Sequence, residues 1–309
     1  MDQDTCEVVK VLVAIGLSAH FAHTQIEQMN TRRDFILSLS AAIGTARVGV
    51  PPIFTAGKAE KLPAIGLQLY TLRSLMKTDL ERTLSQVAEI GYTEVEFAGY
   101  FGRSPGRVRR LLSENHLRSP STHIAFPKDD DAWQNTLDEA RAIGHEWVVI
   151  AWIDAPMRKT ADDWKRVADR FNQLGTMAKQ AGLRFGYHNH DFEFAKFGDS
   201  NGLELLLNGT DKTLVDFEMD LYWVVKAGGN PTAIISKHPK RFPLLHAKDA
   251  TPFPQRTMVD VGAGDIDFRS IFSQRSMSGM QHVFVEHDEP KDPLESARAS
   301  FNYLKALSY

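Results

Sequence analysis

From residue 65 onward the chain repeats one pattern eight times: a short apolar or alternating run, then an amphipathic stretch. The strand-like runs are 65–71, 93–98, 119–125, 147–153, 184–190, 214–220, 244–248 and 282–287. Between and after them lie helical patterns at 79–90, 105–115, 130–143, 161–181, 202–207, 231–238, 268–277 and 293–307. Gly91, Gly144 and Gly182 each follow a helical stretch, where a left-handed capping residue is expected. Strands that alternate with helices pair in parallel, because each crossover carries the chain back to the same end of the sheet. Eight units in about 245 residues predict a closed (β/α)8 TIM barrel in a single domain. A doubly wound open sheet would place a Gly-rich phosphate turn after the first strand, and none is there.

Side-chain parity then says which residues face the barrel axis, since successive strand residues point to opposite sides. Val215, Phe217 and Met219 alternate with Asp216, Glu218 and Asp220, and Leu245 and Ala247 with His246 and Lys248. The polar parity is the inward one and sits late in each strand, at the C-terminal mouth where barrel enzymes build their sites. The inward polar set is Glu96, His123, Trp152, His188, His190, Glu218, Asp220, His246, Lys248 and Glu286. Imidazoles and carboxylates that converge in a buried place must be paired or bound to metal. This mixture of nitrogen and oxygen donors suits one divalent cation, a Lewis acid toward a carbonyl or hydroxyl oxygen. Position favours His246 and Glu286 as ligands, and Asp220 after them; of His188 and His190, one reaches the ion.

Two readings stand for several of the others. Glu96 and His123 are substrate contacts or structural residues, and Trp152 is an apolar wall for a sugar ring or core packing. Lys248 is an acid–base group or the partner of Asp249. Glu193 and Glu218 are functional or lie on a solvated rim. The Gly262-Ala-Gly264-Asp265 turn reads as a loop entering the seventh helix.

Composition excludes whole classes of function. With 36 Lys and Arg against 39 Asp and Glu, the net charge is −3, the wrong balance for a nucleic-acid binder. The single cysteine, Cys6, leaves no intramolecular disulfide, thiolate zinc site or cysteine nucleophile in the body of the chain. Any metal is therefore held by His, Asp and Glu.

The first sixty residues stand apart from the repeating pattern. Thr31-Arg32-Arg33-Asp34-Phe35-Ile36 opens a short apolar run to Ala46, the layout of an export signal. It resembles the twin-arginine leader of bacteria, which implies a periplasmic or exported protein handled by the twin-arginine machinery. The run is shorter than the roughly 20 residues a bilayer span needs, so no stable anchor is expected after export. Met29 stands where an initiator would. Residues 1–28 thus read as an upstream extension, 29–60 as signal and linker, and 61–309 as the barrel.

His246-Ala-Lys248-Asp249, the 261–268 run Val-Gly-Ala-Gly-Asp-Ile-Asp-Phe and Val283-Phe-Val-Glu286 fall in an order and spacing that resembles the sugar phosphate isomerase/epimerase family. This is the xylose isomerase-like TIM barrel group, which also holds endonuclease IV. The resemblance runs from about residue 65 to 307 and implies a metal (Mn, Mg, Co or Zn) held by strands five to eight. It assigns His246 and Glu286 as ligands, with Asp220 and His188 completing the set. Asp220-Leu-Tyr-Trp223 carries Trp223 where the family's Asp-x-x-His has histidine. Strand five departs further: the epimerase branch has a glutamate that is both ligand and base, and this chain has Tyr187-His188-Asn189-His190. That segment and Val285-Glu286-His287-Asp288-Glu289-Pro290 look more like the inosose dehydratase branch.

The resemblance implies an isomerase or epimerase that acts on a keto sugar or polyol through an enediolate. A lyase, an inosose-type dehydratase or a 3-keto-glycoside β-eliminase, is its competitor, since both chemistries begin by removing the proton beside a carbonyl. The expected bases are His190, Glu193 and Lys248, in that order, and by analogy with the family Glu286 doubles as a proton carrier. Glu96, His123, Trp152 and Glu218 are expected to contact substrate. A non-catalytic sugar-binding protein is the reading of another class, and the acidic–imidazole cluster argues against it.

Overall fold

The computed structural model describes residues 59–309, which cluster as one compact unit. The expected upstream extension, and the expected leader apart from 59–60, lie outside the described residues. Eight parallel strands form the barrel: β1 Gly66–Gln68, β2 Glu94–Phe97, β3 Arg118–Ile124, β4 Trp147–Ile150, β5 Arg184–His188, β6 Val215–Asp220, β7 Leu244–Ala247 and β8 His282–Val285. Each pairs with its sequence neighbours, and β8 closes on β1 through Gly66 opposite Phe284 and Leu67 opposite Val285. The main helices are α1 Leu80–Ile90, α2 Pro105–Glu114, α3 Asp130–Ile143, α4 Ala161–Gln180, α5 Gly202–Gly209, α6 Pro231–Lys237, α7 Phe268–Ser273 and α8 Pro293–Ala306.

All eight expected strands are present, but most are shorter at their C-terminal ends. The expected 65–71 strand gives way to a 3-10 turn at Leu69–Leu72, and 184–190 ends at His188. The reason is local. The apolar and polar alternation continues past the last ladder bond while the backbone is already leaving the mouth. The expected helix 268–277 is interrupted at Gln274, with a second short turn at Arg275–Ser278.

Helix ends follow their capping chemistry. Asp79 and Asp129 accept the backbone N–H groups of Arg82 and Ala132, and Thr160 and Asp163 form a capping box that opens α4. Gly91 ends α1 at φ 118°, a backbone angle that costs glycine little and other residues more. Among the described residues no helix is long and apolar enough to cross a membrane.

Apolar side chains fill two regions. The larger lies between strands and helices, where Trp133, Phe171, Phe185 and Tyr187 pack as tilted and edge-on rings. The smaller, Trp147, Val149, Leu244 and Phe284, is separate from it and plugs the barrel interior. Gly66 makes this plug fit, because a Cβ there would come within 2.3 Å of the Phe284 ring. At the far end of the interior, Glu94 meets His282 at 2.7 Å, and Asp216 takes Arg184 at 2.7 Å and the Trp147 indole N–H at 2.9 Å. The barrel is therefore blocked at its centre, and the polar residues above the plug face one open end only.

Candidate active site

Above the plug, inward positions on six strands bring their polar ends together. Glu218 on β6 is fully buried, and its Oε2 lies 2.6 Å from His123 Nε2, 3.0 Å from His188 Nδ1 and 3.1 Å from His246 Nε2. Glu96 on β2 is equally buried; its Oε2 lies 2.7 Å from His246 Nε2 and accepts the Gln68 amide at 2.7 Å. The other nitrogen of His246 is 2.8 Å from Glu286 Oε2. Lys248 spans the mouth side, with Nζ 3.0 Å from Asp220 Oδ2, 2.8 Å from Glu286 Oε2 and 2.7 Å from Asp288 Oδ1.

Asp220 serves two purposes with one carboxylate. Its Oδ1 accepts the Trp223 backbone N–H and caps the short helix Leu221–Lys226, while Oδ2 points into the cluster. Its own backbone N–H donates to Asn189 Oδ1 at 3.1 Å, tying the end of β6 to the loop after β5.

Electrostatics in this buried space are set by neighbours. Burial opposes ionisation of Glu218, but His246 and His123 outweigh it and hold the carboxyl well below the usual range. Burial likewise works against the charge on Lys248, yet Asp220 and Glu286 overcome it and keep the ammonium protonated. Burial raises Asp220 to about 6 despite Lys248. His190 is pushed down to about 3 by burial and by Lys248, so its ring is neutral at ordinary pH.

The four residues expected as metal ligands come together: one donor atom from each of His188, Asp220, His246 and Glu286 lies within 4.8 Å of the others. A deeper set, His123, His188, Glu218 and His246, meets the same limit and shares two members. The donors suit a divalent ion. Glu96 Oε1, Glu218 Oε1 and Asp220 Oδ2 are buried without a hydrogen-bond partner, although Lys248 Nζ and His188 Nε2 lie 3.0 and 3.5 Å from the last. Leaving such atoms unpaired in a dry interior is costly.

Other expectations are corrected. Glu193 is fully buried: its Oε1 accepts the Tyr187 hydroxyl and its Oε2 the His190 N–H at 2.9 Å. Tyr187 packs with Phe171 and Phe217 outside the barrel wall, so Glu193 lies behind β5, and burial lifts it to about 8. It is neither a rim residue nor a group facing the mouth. Glu218 is not on the rim either; with Glu96 it forms the base of the cluster. Lys248 does not pair with Asp249. Instead Asp249 accepts the backbone N–H groups of Gly262, Gly264 and Ile266 at 2.9, 3.1 and 3.1 Å, folding the loop before α7 around one carboxylate. A Cβ on Gly264 would fall 2.3 Å from that carboxylate.

Trp152 is half exposed on the wall of the mouth, edge-on to His190 with 5.1 Å between ring centroids. The sequence reading missed Gln68, Asp288 and Asn189. The first two continue the inward parity of Gly66 and of Phe284 and Glu286, a usable signal; the loop position of Asn189 offers none.

Residues 84–307, most of the chain, match the family described as xylose isomerase-like TIM barrel. The chain belongs to that family. Among curated relatives, an inosose dehydratase of Clostridium beijerinckii is 28% identical over 265 residues, which cover 73% of this chain and 88% of the relative. An inosose dehydratase of Clostridium tetani is 23% identical over 299 residues, 84% of this chain and 96% of the relative. A solved sugar phosphate isomerase/epimerase of Parabacteroides distasonis superposes with a TM-score of 0.70 at 28% identity, covering 82% of this chain and 96% of its own. The xylose isomerase-like superfamily of sugar isomerases, epimerases and dehydratases is thus the setting in which this cluster is to be read.

Proposed function

We propose that the protein is a divalent-metal-dependent enzyme that removes the proton beside the carbonyl of a keto sugar or cyclitol, and that elimination follows. The observation that carries this reading is the mouth-facing tetrad of His188, Asp220, His246 and Glu286 with the Lys248 ammonium beside it. A divalent ion there would supply Lewis acidity toward a substrate oxygen, making the neighbouring C–H acidic. The protein's residues supply the rest. His190, neutral and with Trp152 beside it in the mouth, is placed to accept the proton. Lys248, held charged by three carboxylates, is placed to give one to the departing β-oxygen. The C–H and C–O bonds break, a C=C bond forms, and water or an alcohol leaves.

The isomerase or epimerase outcome takes second place for a specific reason. Returning the proton elsewhere is served by two carboxylates, and β5 offers imidazole where the second would stand; His188 is already engaged with Glu218. The dehydratase relatives support the same order. We also propose an exported protein, on the strength of the Arg32-Arg33 leader pattern.

Incubating metal-loaded protein with inososes, 3-keto-glycosides and free ketoses in D2O separates these readings. Loss of water or aglycone supports the lyase, and solvent deuterium in an unbroken skeleton supports the isomerase. Absence of both from every substrate refutes the enolising reading.

A further inference from the structure

Next to the cluster, across the C-terminal ends of β2, β3 and β4, lies a groove of about 730 Å³. Of the acidic–imidazole cluster only His123 lines it, and the His123 ring lies 2.6 Å from Glu218. The groove is therefore joined to the reacting centre but extends away from it. Its walls are largely apolar and aromatic: Tyr70, Tyr100, Ile124, Phe126 and Pro127. Tyr70 is 42% exposed at the mouth end of β1, with the Arg73 guanidinium 4.2 Å from its ring centroid.

Volume decides what this space is for. A hexose or cyclitol has six carbons and six oxygens. Even at a water's liquid share of roughly 30 Å³ per heavy atom, such a ring fills about half of the groove. That ring must also sit over the tetrad for its carbonyl to be enolised, largely outside this space. Charge decides the chemistry. Apart from His123, which is paired with Glu96 and Glu218, the groove's charged side chains are one cation, Lys128, and one anion, Glu139, too balanced for a phosphate. Flat apolar walls with a few polar groups suit a ring that offers a hydrophobic face.

We propose that this groove is a second subsite, which holds a ring attached to the reacting sugar, so that the substrate is a glycoside. The inference rests on the enolising reading of the neighbouring cluster. An aromatic aglycone and a second pyranose share the required chemistry, a ring with an apolar face, and the substrates below tell them apart.

The test compares three 3-keto substrates with metal-loaded protein in D2O: 3-keto-glucose, its phenyl glycoside and the corresponding keto-disaccharide. At least a tenfold higher kcat/KM for the phenyl glycoside, the disaccharide or both over the free sugar is expected. Phe126→Ala and Tyr70→Ala should each cut that ratio several-fold, and Ala132→Trp, which fills the groove, should erase it. A free sugar turned over as efficiently as both glycosides overturns the subsite and leaves the enolising reading intact. Should no substrate exchange or eliminate, the enolising reading falls, and the groove is judged by saturation-transfer NMR with phenyl β-glucoside. Transfer to the phenyl ring that Ala132→Trp abolishes supports the subsite; absent transfer, or transfer that survives the substitution, overturns it.

Discussion

At the scale of single residues, the cluster predicts its own fragility. His246 touches both Glu286 and Glu96, and so ties the mouth of the cluster to its base. His246→Ala and Glu286→Ala are each expected to lose bound metal on gel filtration and to reduce turnover by at least a thousandfold; retention of either property in either variant contradicts the ligand assignment. Away from the site, His145 is neutral and well held. Its Nδ1–H donates to the Ser119 carbonyl at 2.7 Å, and its Nε2 lies 3.0 Å from the Tyr100 hydroxyl. Burial brings it down to about 4. Below the ordinary histidine range the unfolded chain binds a proton that the folded one refuses, so stability is full above about pH 6.5 and falls toward pH 4, by roughly 3 kcal/mol across the window. Urea midpoints measured between pH 7 and pH 4.5 should decline more steeply for the wild type than for His145→Gln.

At the scale of elements, the loop before α7 depends on Asp249, whose carboxylate is 1% exposed along with the rest of its residue. Asp249→Ala would leave the buried Ile266 N–H and the part-buried N–H groups of Gly262 and Gly264 without their acceptor and should cost about 3 kcal/mol. It should also speed amide exchange at Gly262, Gly264 and Ile266 ahead of the barrel strands; unchanged exchange there would remove the anchoring role. The same loop shows what a sequence discloses and what it withholds. The glycines announced a turn, and Asp249 beside Lys248 suggested an ion pair. Only the fold brings residue 249 against 262–266, because that contact depends on how β7 leaves the barrel. Parity served well on β6, where polar and apolar residues alternate throughout, and at the C-terminal ends of β7 and β8. It does not reach Glu193, which lies past the end of β5, where the backbone turns and alternation no longer reports direction.

At the scale of the whole molecule, the eight-unit architecture was legible because every unit carries its own amphipathic pattern, and the long-range pairing follows from that repetition. Metal binding should stabilise the entire domain. At one hundred times the dissociation constant, a ligand of the folded state contributes about 2.7 kcal/mol. For a domain of this size each kcal/mol raises Tm by about 2–4 °C, so Mn²⁺ or Zn²⁺ should raise it by roughly 5–10 °C in the wild type and not in His246→Ala. Arg32→Lys with Arg33→Lys should keep the protein in the cytoplasm of a bacterial host, and undiminished export would refute the leader reading. The seam between β1 and β8 has a temporal consequence. Glu286 follows directly on the last strand to be synthesised, and its partner His246 belongs to the stave before it. A ribosome-bound chain that stops short of residue 282 holds every other member of the tetrad, yet it lacks both the strand that seals the wall and the Glu286 donor. The closing strand and the last mouth-side donor therefore arrive together.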